Sequence, residues 1–321
     1  MQEIQFFMDK FIKIIYPEGN FPVKKAVIAL GVFDGVHSGH QLVVRQAAEL
    51  AAAKNCAAGA VTFVPHPRQV LTGASGPGLL IPETERIRRL LDAGADFAAQ
   101  INFDERIAAW DAETFLINLR DCGIFELAGI CVGSNWRFGK NGSGTRDVLA
   151  GFCAAADIDF IPVPEMEADG AVVSSTRIRE AVAAGQLAKA YQLAGYLPQL
   201  TGTVGGGMQI AGKVLNAPTA NVVLQYGVLP PDGVYAGYSE LNGKKFPAVL
   251  NIGTAPTYDV SERRIEVHLI GFSGNLYGKE LTVSLVKKLR DICKFNDPQE
   301  LKNQISSDIE NASRCVAGSE L

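Results

Sequence analysis

Histidine is scarce in this chain. Only His37, His40, His66 and His268 occur among 321 residues, so chemistry that relies on imidazole has few places to sit. Zinc and disulfide patterns are also missing: none of the six cysteines (Cys56, Cys122, Cys131, Cys153, Cys293, Cys315) stands at CxxC spacing from another. They read as small buried hydrophobes in a reducing compartment, and the expected location is the cytoplasm. No uninterrupted apolar run reaches the roughly 18 residues of a membrane span. The patchily apolar N-terminus is broken by Glu3, Asp9, Lys10 and Lys13, with no small-residue cleavage site after it. Positive charge is not in excess. Thirty Lys and Arg face 34 Asp and Glu, which excludes the basic footprint of a nucleic-acid binder.

What is present is a globular composition, 47% hydrophobic and 20% charged, in a length that favours two domains. Between Ala26 and Ile161, short apolar runs (26–30, 58–63, 127–132, 158–161) alternate with stretches of helical length (41–53, 83–93, 112–121, 146–156). That alternation predicts a parallel sheet covered on both faces. After about Gly195, turn signals such as Asn242-Gly243 separate β-rich runs at 234–239, 246–251, 265–270 and 281–286. This half reads as a small antiparallel barrel or sandwich ending in a helix, with Asp297 as its N-cap and Pro298 at its first position. The expected domains are 1–185 and 186–321.

Two of the four histidines fall in one turn, Gly31-Val32-Phe33-Asp34-Gly35-Val36-His37-Ser38-Gly39-His40, which follows an apolar strand and opens a helix. An open α/β sheet binds its ligand there, outside the carboxyl end of a strand and at a helix N-terminus that attracts phosphate. Imidazole donors at i and i+3 can stabilise charge growing on a phosphoryl group. The plain alternative is a glycine-rich turn with two solvated histidines. A zinc pair is a weaker rival, because only Asp34 stands near to add a ligand. Farther on, Ser174-Ser175-Thr176 precedes a helical stretch and Arg177 adds a planar fork of donors, which makes a second candidate phosphate site.

Gly31 to His40 resembles the GxFDGxHxGH signature of the bacterial bifunctional riboflavin kinase/FMN adenylyltransferase family, one branch of the HxGH nucleotidyltransferases. Three further blocks match in order: Thr62-Phe63-Val64-Pro65-His66-Pro67, Val132 to Gly139, and Ser174 to Arg179. The resemblance implies a Rossmann-like α/β nucleotidyltransferase domain in which the FMN phosphate attacks the α-phosphorus of ATP, giving FAD and pyrophosphate. It makes His37 and His40 catalytic. It assigns nucleotide or flavin binding to Gly31, Phe33, Asp34, Gly39, His66, Asn135, Ser174, Ser175, Thr176 and Arg177. Asn135 stands where relatives carry Asp or Asn, and Trp136 where they usually carry Phe.

In the β-rich half, Pro218-Thr219-Ala220-Asn221 places Thr and Asn two apart on an extended chain, hence on one side. A hydroxyl and an amide carbonyl there suit a hard cation, although a capped turn is the commoner meaning of such a segment. The segment resembles the PTAN motif of the riboflavin kinase fold. The resemblance implies an all-β barrel, with Thr219 and Asn221 meeting Mg²⁺ and the ATP phosphates. Lys213 is the matching nucleotide contact, where relatives usually carry Arg; Lys keeps the charge and loses the bidentate fork. Relatives usually have Gly-Phe or similar at Asn216-Ala217, and the 207–212 stretch is one residue longer than theirs. In the apparent strand 265–270, Glu266 and His268 share one face and Ile265, Val267 and Leu269 the other. The family matches Glu266 to the general base for the riboflavin 5′-hydroxyl.

The expectation is therefore ATP-dependent conversion of riboflavin to FMN and of FMN to FAD, with Mg²⁺ and without nucleic-acid or membrane partners. Two other readings stand beside it: an adenylyltransferase whose barrel only binds flavin or packs, and a flavin-binding regulatory relative with little catalysis. The presence of His37, His40, Asn135, Arg177, Thr219, Asn221 and Glu266 together disfavours the last.

Overall fold

The computed structural model describes residues 2–4, 12–16, 23–73, 78–205, 219–255, 260–295 and 297–318. The chain divides into two compact units, Met1–Pro77 with Glu83–Ser174, and Gly78–Pro82 with Ser175–Leu321. The short segment 78–82 joins the second unit through main-chain oxygens. Leu79 O accepts from Gly227 N at 2.7 Å and Gly78 O from Arg179 Nε at 2.8 Å. The sequence pattern places a boundary near residue 185; the helix that begins at Ser175 groups with the second unit instead.

The first unit is built on seven strands: β1 (Gln2–Ile4), β2 (Ile12–Tyr16), β3 (Lys25–Leu30), β4 (Ala57–Val64), β5 (Phe97–Asn102), β6 (Glu126–Gly133) and β7 (Asp159–Val163). They lie in the order β1-β2-β5-β4-β3-β6-β7. The five from β5 to β7 are parallel, while β2 and β1 add an antiparallel edge. Helices α1 (Ser38–Ala53), α2 (Pro67–Thr72), α3 (Glu83–Asp92), α4 (Glu105–Ala108), α5 (Ala112–Arg120) and α6 (Arg146–Ala155) connect them. A two-stranded hairpin, β8 (Glu167–Ala168) with β9 (Ala171–Val172), follows β7. All residues of β3 after Lys25 are buried, as a strand with parallel neighbours and covered faces requires. Strand order reverses at β3, because β4 and β5 extend to one side and β6 and β7 to the other. The carboxyl ends of β3 and β6 therefore flank the crevice where such sheets bind ligands.

The second unit opens with α7 (Ser175–Ala183) and α8 (Leu187–Ala194) and continues into a closed barrel. Its strands are β10 (Gln199–Gly205), β11 (Ala220–Tyr226), β12 (Gly233–Leu241), β13 (Lys244–Ala255), β14 (Val260–Leu269) and β15 (Glu280–Arg290), paired β10-β11-β14-β13-β12-β15. Every pairing is antiparallel. The expected hairpin joins β12 to β13, with Asn242 and Gly243 both at positive φ (52° and 74°), the backbone of a tight primed turn. Tyr235, Leu250, Ile265, Val267 and Val283 fill the interior. A terminal helix, α9 (Pro298–Ala317), starts where Asp297 accepts from Gln299 N at 3.0 Å, and it packs on β12, β13 and β15.

Candidate active sites

Three of the four nucleotidyltransferase-like blocks converge at the carboxyl ends of adjacent strands of the first unit: Gly31–His40 after β3, Thr62–Pro67 at the end of β4, and Gly133–Phe138 after β6. The turn after β3 is unusually bent. Phe33 and Val36 have φ of 51° and 37°, and Gly35 has φ of 79°. Positive φ is costly for an aromatic and more so for a β-branched residue, so the surroundings must hold it. Gly31 N donates to Val61 O at 3.1 Å and Val36 N to Phe33 O at 3.2 Å. The Gln41 side chain donates to Val36 O at 3.0 Å. The Val32 carbonyl accepts from Thr62 Oγ1 at 2.8 Å and from Arg86 NH1 at 3.5 Å.

This backbone stacks the two imidazoles of the turn face to face, centroids 3.6 Å apart and planes 21° from parallel. Phe33 meets His40 edge-on at 5.3 Å. A side chain on Gly31 would run into the Phe33 ring at 2.9 Å, so something there would have to shift, and one on Gly39 would press on the His37 ring at 3.3 Å, which would have to give by a few tenths of an ångström. His37 is the N-cap of α1 but makes no side-chain cap, and Asp34 is buried beside it. Burial pushes His37 down to about 4, and burial together with the neighbouring His37 holds His40 well below the usual imidazole range. Both rings are therefore neutral near pH 7, and each keeps one N–H donor. Their Nδ1 atoms are buried without a hydrogen-bond partner among the described residues.

His66, expected to face nucleotide or flavin, also has a local task. Its Nδ1 accepts from Arg68 N at 3.1 Å, and its own N donates to Gln69 Oε1 at 3.2 Å, forming a capping box that starts α2. Asn135 is exposed and lines a concavity of about 440 Å³ with Trp136, Arg137, Thr145 and Arg146. Trp136 stacks on Phe138 (4.7 Å, 13°) and so leans on the core. Ser174 ends the first unit. Ser175, Thr176 and Arg177 form the first turn of α7 in the second unit, with Thr176 exposed and the other two half-buried.

In the barrel, register brings together what the sequence kept apart. Asn221 on β11 lies directly opposite Glu266 on β14, and Asn251 on β13 lies opposite Glu266 on its other side. Directly opposed residues share a face, so Asn221, Glu266 and Asn251 form one row on the outside of the barrel, while Ile265, Val267 and Leu269 are buried within. Thr219 and Asn221 line a cavity of about 600 Å³ with Gly205, Phe272, Leu276 and Tyr277. Glu266 adjoins it through Asn221 and is not among its lining residues. The Thr219 hydroxyl and Asn221 carbonyl are hard neutral oxygens, the donor type Mg²⁺ takes while keeping waters and phosphate oxygens. Lys213, Asn216, Ala217 and the 207–212 stretch lie outside the described residues apart from what their sequence implies. Sequence reasoning did not find Arg86 or the segment from Phe272 to Asn275. Arg86 sits in a run of charges that reads as a solvated helix face, and the segment reads as turn residues.

Comparison with known proteins covers both halves. Residues 22–177 match the FAD synthetase family model, and residues 194–316 match riboflavin kinase. The bifunctional riboflavin kinase/FMN adenylyltransferase of Escherichia coli strain K12 is 33% identical over 300 residues, covering 93% of this chain and 95% of that one. The enzyme of the same name from Bacillus subtilis strain 168 is 33% identical over 301 residues, covering 90% and 92%. A crystal structure of a Streptococcus pneumoniae protein named macrolide-efflux protein superposes with a TM-score of 0.78 at 29% identity, covering 92% of this chain and 96% of that one. That name describes the other protein; among the described residues here, no helix is long and apolar enough to cross a membrane. With both halves matched in order and relatives aligned nearly end to end, this chain belongs to the bifunctional riboflavin kinase/FMN adenylyltransferase family.

Proposed function

We propose that the chain makes FMN from riboflavin at the barrel and FAD from FMN at the α/β unit, using ATP and Mg²⁺ for both transfers. The observation that carries this reading is that each half of the chain has its own family match, residues 22–177 to FAD synthetase and 194–316 to riboflavin kinase. In the barrel, Glu266 takes the proton of the riboflavin 5′-hydroxyl as that oxygen bonds to the γ-phosphorus of ATP. The bond from the γ-phosphorus to the bridging oxygen breaks, and ADP leaves. Thr219 and Asn221 would hold Mg²⁺, which when bound neutralises phosphate charge, and the resemblance makes Lys213 a nucleotide contact.

In the α/β unit, a phosphate oxygen of FMN bonds to the α-phosphorus of ATP and pyrophosphate leaves, with no covalent enzyme intermediate. His37 and His40 donate hydrogen bonds to the oxygens of the transferring group. Gly31, Phe33, Asp34 and Gly39 shape their turn and contact nucleotide or flavin there. His66 and Asn135 contact nucleotide or flavin and Ser174 takes phosphate, a role the resemblance also implies for Ser175, Thr176 and Arg177 at the start of α7. Such transfers ask a protein mainly for positioning and charge stabilisation, which matches a site built from neutral donors and a rigid turn. The cysteine spacing supports a reducing, cytoplasmic setting.

The test incubates purified protein with ATP, Mg²⁺ and either riboflavin or FMN, and separates the flavins. Riboflavin is expected to give FMN and then FAD. FAD from FMN but nothing from riboflavin would leave only the adenylyltransferase, and no conversion of either would overturn the reading.

A further inference from the structure

We propose that Arg86, which lies in none of the family-like blocks, is a positioning residue for adenylyl transfer that acts, together with Thr62, on the peptide preceding Phe33. This rests on the reading that the His37/His40 turn transfers the adenylyl group. Arg86 is 4% exposed although it carries a charge, on a helix whose Arg88 and Glu85 are paired toward solvent. A buried guanidinium is costly and persists where something specific uses it. Here its NH1 points at the Val32 carbonyl from one side, a long contact at 3.5 Å, while Thr62 Oγ1 donates from β4 at 2.8 Å.

The oxygen they hold belongs to the peptide plane whose N–H is that of Phe33. Holding it restricts the φ of Phe33, which at 51° lies where a phenylalanine does not rest unaided. That φ sends the Phe33 ring against the edge of His40, and His40 in turn stacks on His37. The sequence of contacts thus runs from α3 and β4 through one carbonyl to both imidazoles. Without the two donors, the turn keeps only its bonds at Gly31, Phe33 O and Val36 O, so the positive φ of Phe33 is less well held, and the contact of its ring with His40 and the alignment of the imidazole pair weaken. Of the expected nucleotide- or flavin-binding residues only Phe33 moves, while His66, Asn135 and Ser174 keep their places, so the loss falls mainly on kcat and little on KM.

The experiment uses the full chain with Arg86→Met, Arg86→Lys and Thr62→Val, measuring FAD formation from FMN, FMN formation from riboflavin and thermal unfolding. Arg86→Met is expected to lower kcat for FAD formation roughly tenfold or more, with KM for ATP and FMN changed by less than about threefold and FMN formation intact. Arg86→Lys, which keeps a cationic donor, should recover part of the loss, and Thr62→Val should lower the same kcat. If Arg86→Met fails to fold, Thr62→Val decides: unchanged FAD formation overturns the proposal. It is overturned as well if Arg86→Met unfolds earlier yet keeps its kcat, or if KM rises alone, which would place Arg86 on the substrate. If the unaltered chain makes no FAD, the proposed function itself fails, a result distinct from activity that survives in the variants.

Discussion

At the residue scale, the paired imidazoles give the first unit a measurable dependence on pH. Burial lowers the folded pKa of His37 to about 4, while in the unfolded chain it returns to an ordinary value near 6.5. Between those values the unfolded state binds the extra proton, so stability contributed by the neutral ring is full above pH 6.5 and is lost as the pH falls toward 4. The loss is on the order of 3 kcal/mol for this one group. His37→Gln should therefore flatten the decline in melting temperature of the first unit between pH 6.5 and 4, and an unchanged slope would sink the assignment. Gly39→Ala tests the same rings sterically. Its Cβ would sit 3.3 Å from the His37 ring, which must give by a few tenths of an ångström. FAD formation should fall about tenfold while FMN formation holds. The residues of this site were legible because scarcity and spacing put two histidines in one glycine-bearing turn. The positive φ of Phe33 was not legible, since a phenylalanine gives no local sign of it and the bonds around its turn come from residues distant in sequence, Thr62 and Arg86 on Val32 O among them.

At the element scale, α9 buries one carboxylate against the barrel beside the apolar Ala312 and Val316. Asp308 is 3% exposed and accepts from Arg290 Nε and NH2 on β15 (3.1 and 2.9 Å) and from Gln304 Nε2 (2.9 Å). Removing the carboxylate costs its charge-assisted hydrogen bonds, about 2 kcal/mol, and less than a fully buried pair would, because Arg290 is 22% exposed and keeps its bond to Asp291 O. Asp308→Ala is accordingly expected to lower the barrel's melting temperature by several degrees, with Asp308→Asn milder because it retains an acceptor. If Asp308→Ala melts like the unaltered chain, α9 is anchored by its apolar face alone. The start of α9 was readable from Asp297 and Pro298, but its buried acid was not, because a lone charge in an amphipathic helix reads as solvent-facing. Helices α1, α3, α5 and α6 lie close to where apolar periodicity put them. Two of the strands overlooked in the sequence, β5 and β10, have weak strand preference of their own. In β5 (Phe-Ala-Ala-Gln-Ile-Asn), alanine and glutamine carry little strand preference, and burial between β4 and β2 settles its state. In β10, two glycines interrupt the pattern, and pairing with β11 and β15 supplies what propensity lacks.

At the scale of the whole molecule, two compact units with separate cores make the two transfers separable by single substitutions. Glu266→Gln keeps the size and hydrogen-bonding outline of the side chain opposite Asn221 but removes its basicity, so FMN formation should vanish while FAD formation from FMN continues. His40→Gln should do the reverse, turning riboflavin into FMN that accumulates. Mixing the two variant proteins with riboflavin, ATP and Mg²⁺ then poses a question neither answers alone. FMN made by the His40→Gln chain has to leave it and enter the Glu266→Gln chain, because neither molecule can complete both steps. FAD should appear after a lag, during which free FMN rises and then falls, and the lag should shorten as the concentration of the Glu266→Gln protein is raised. Recovery of FAD in this way establishes FMN as a released intermediate. A mixture that accumulates FMN while the Glu266→Gln protein alone still converts added FMN would contradict free exchange, and loss of both activities in Glu266→Gln would sink the two-site assignment itself.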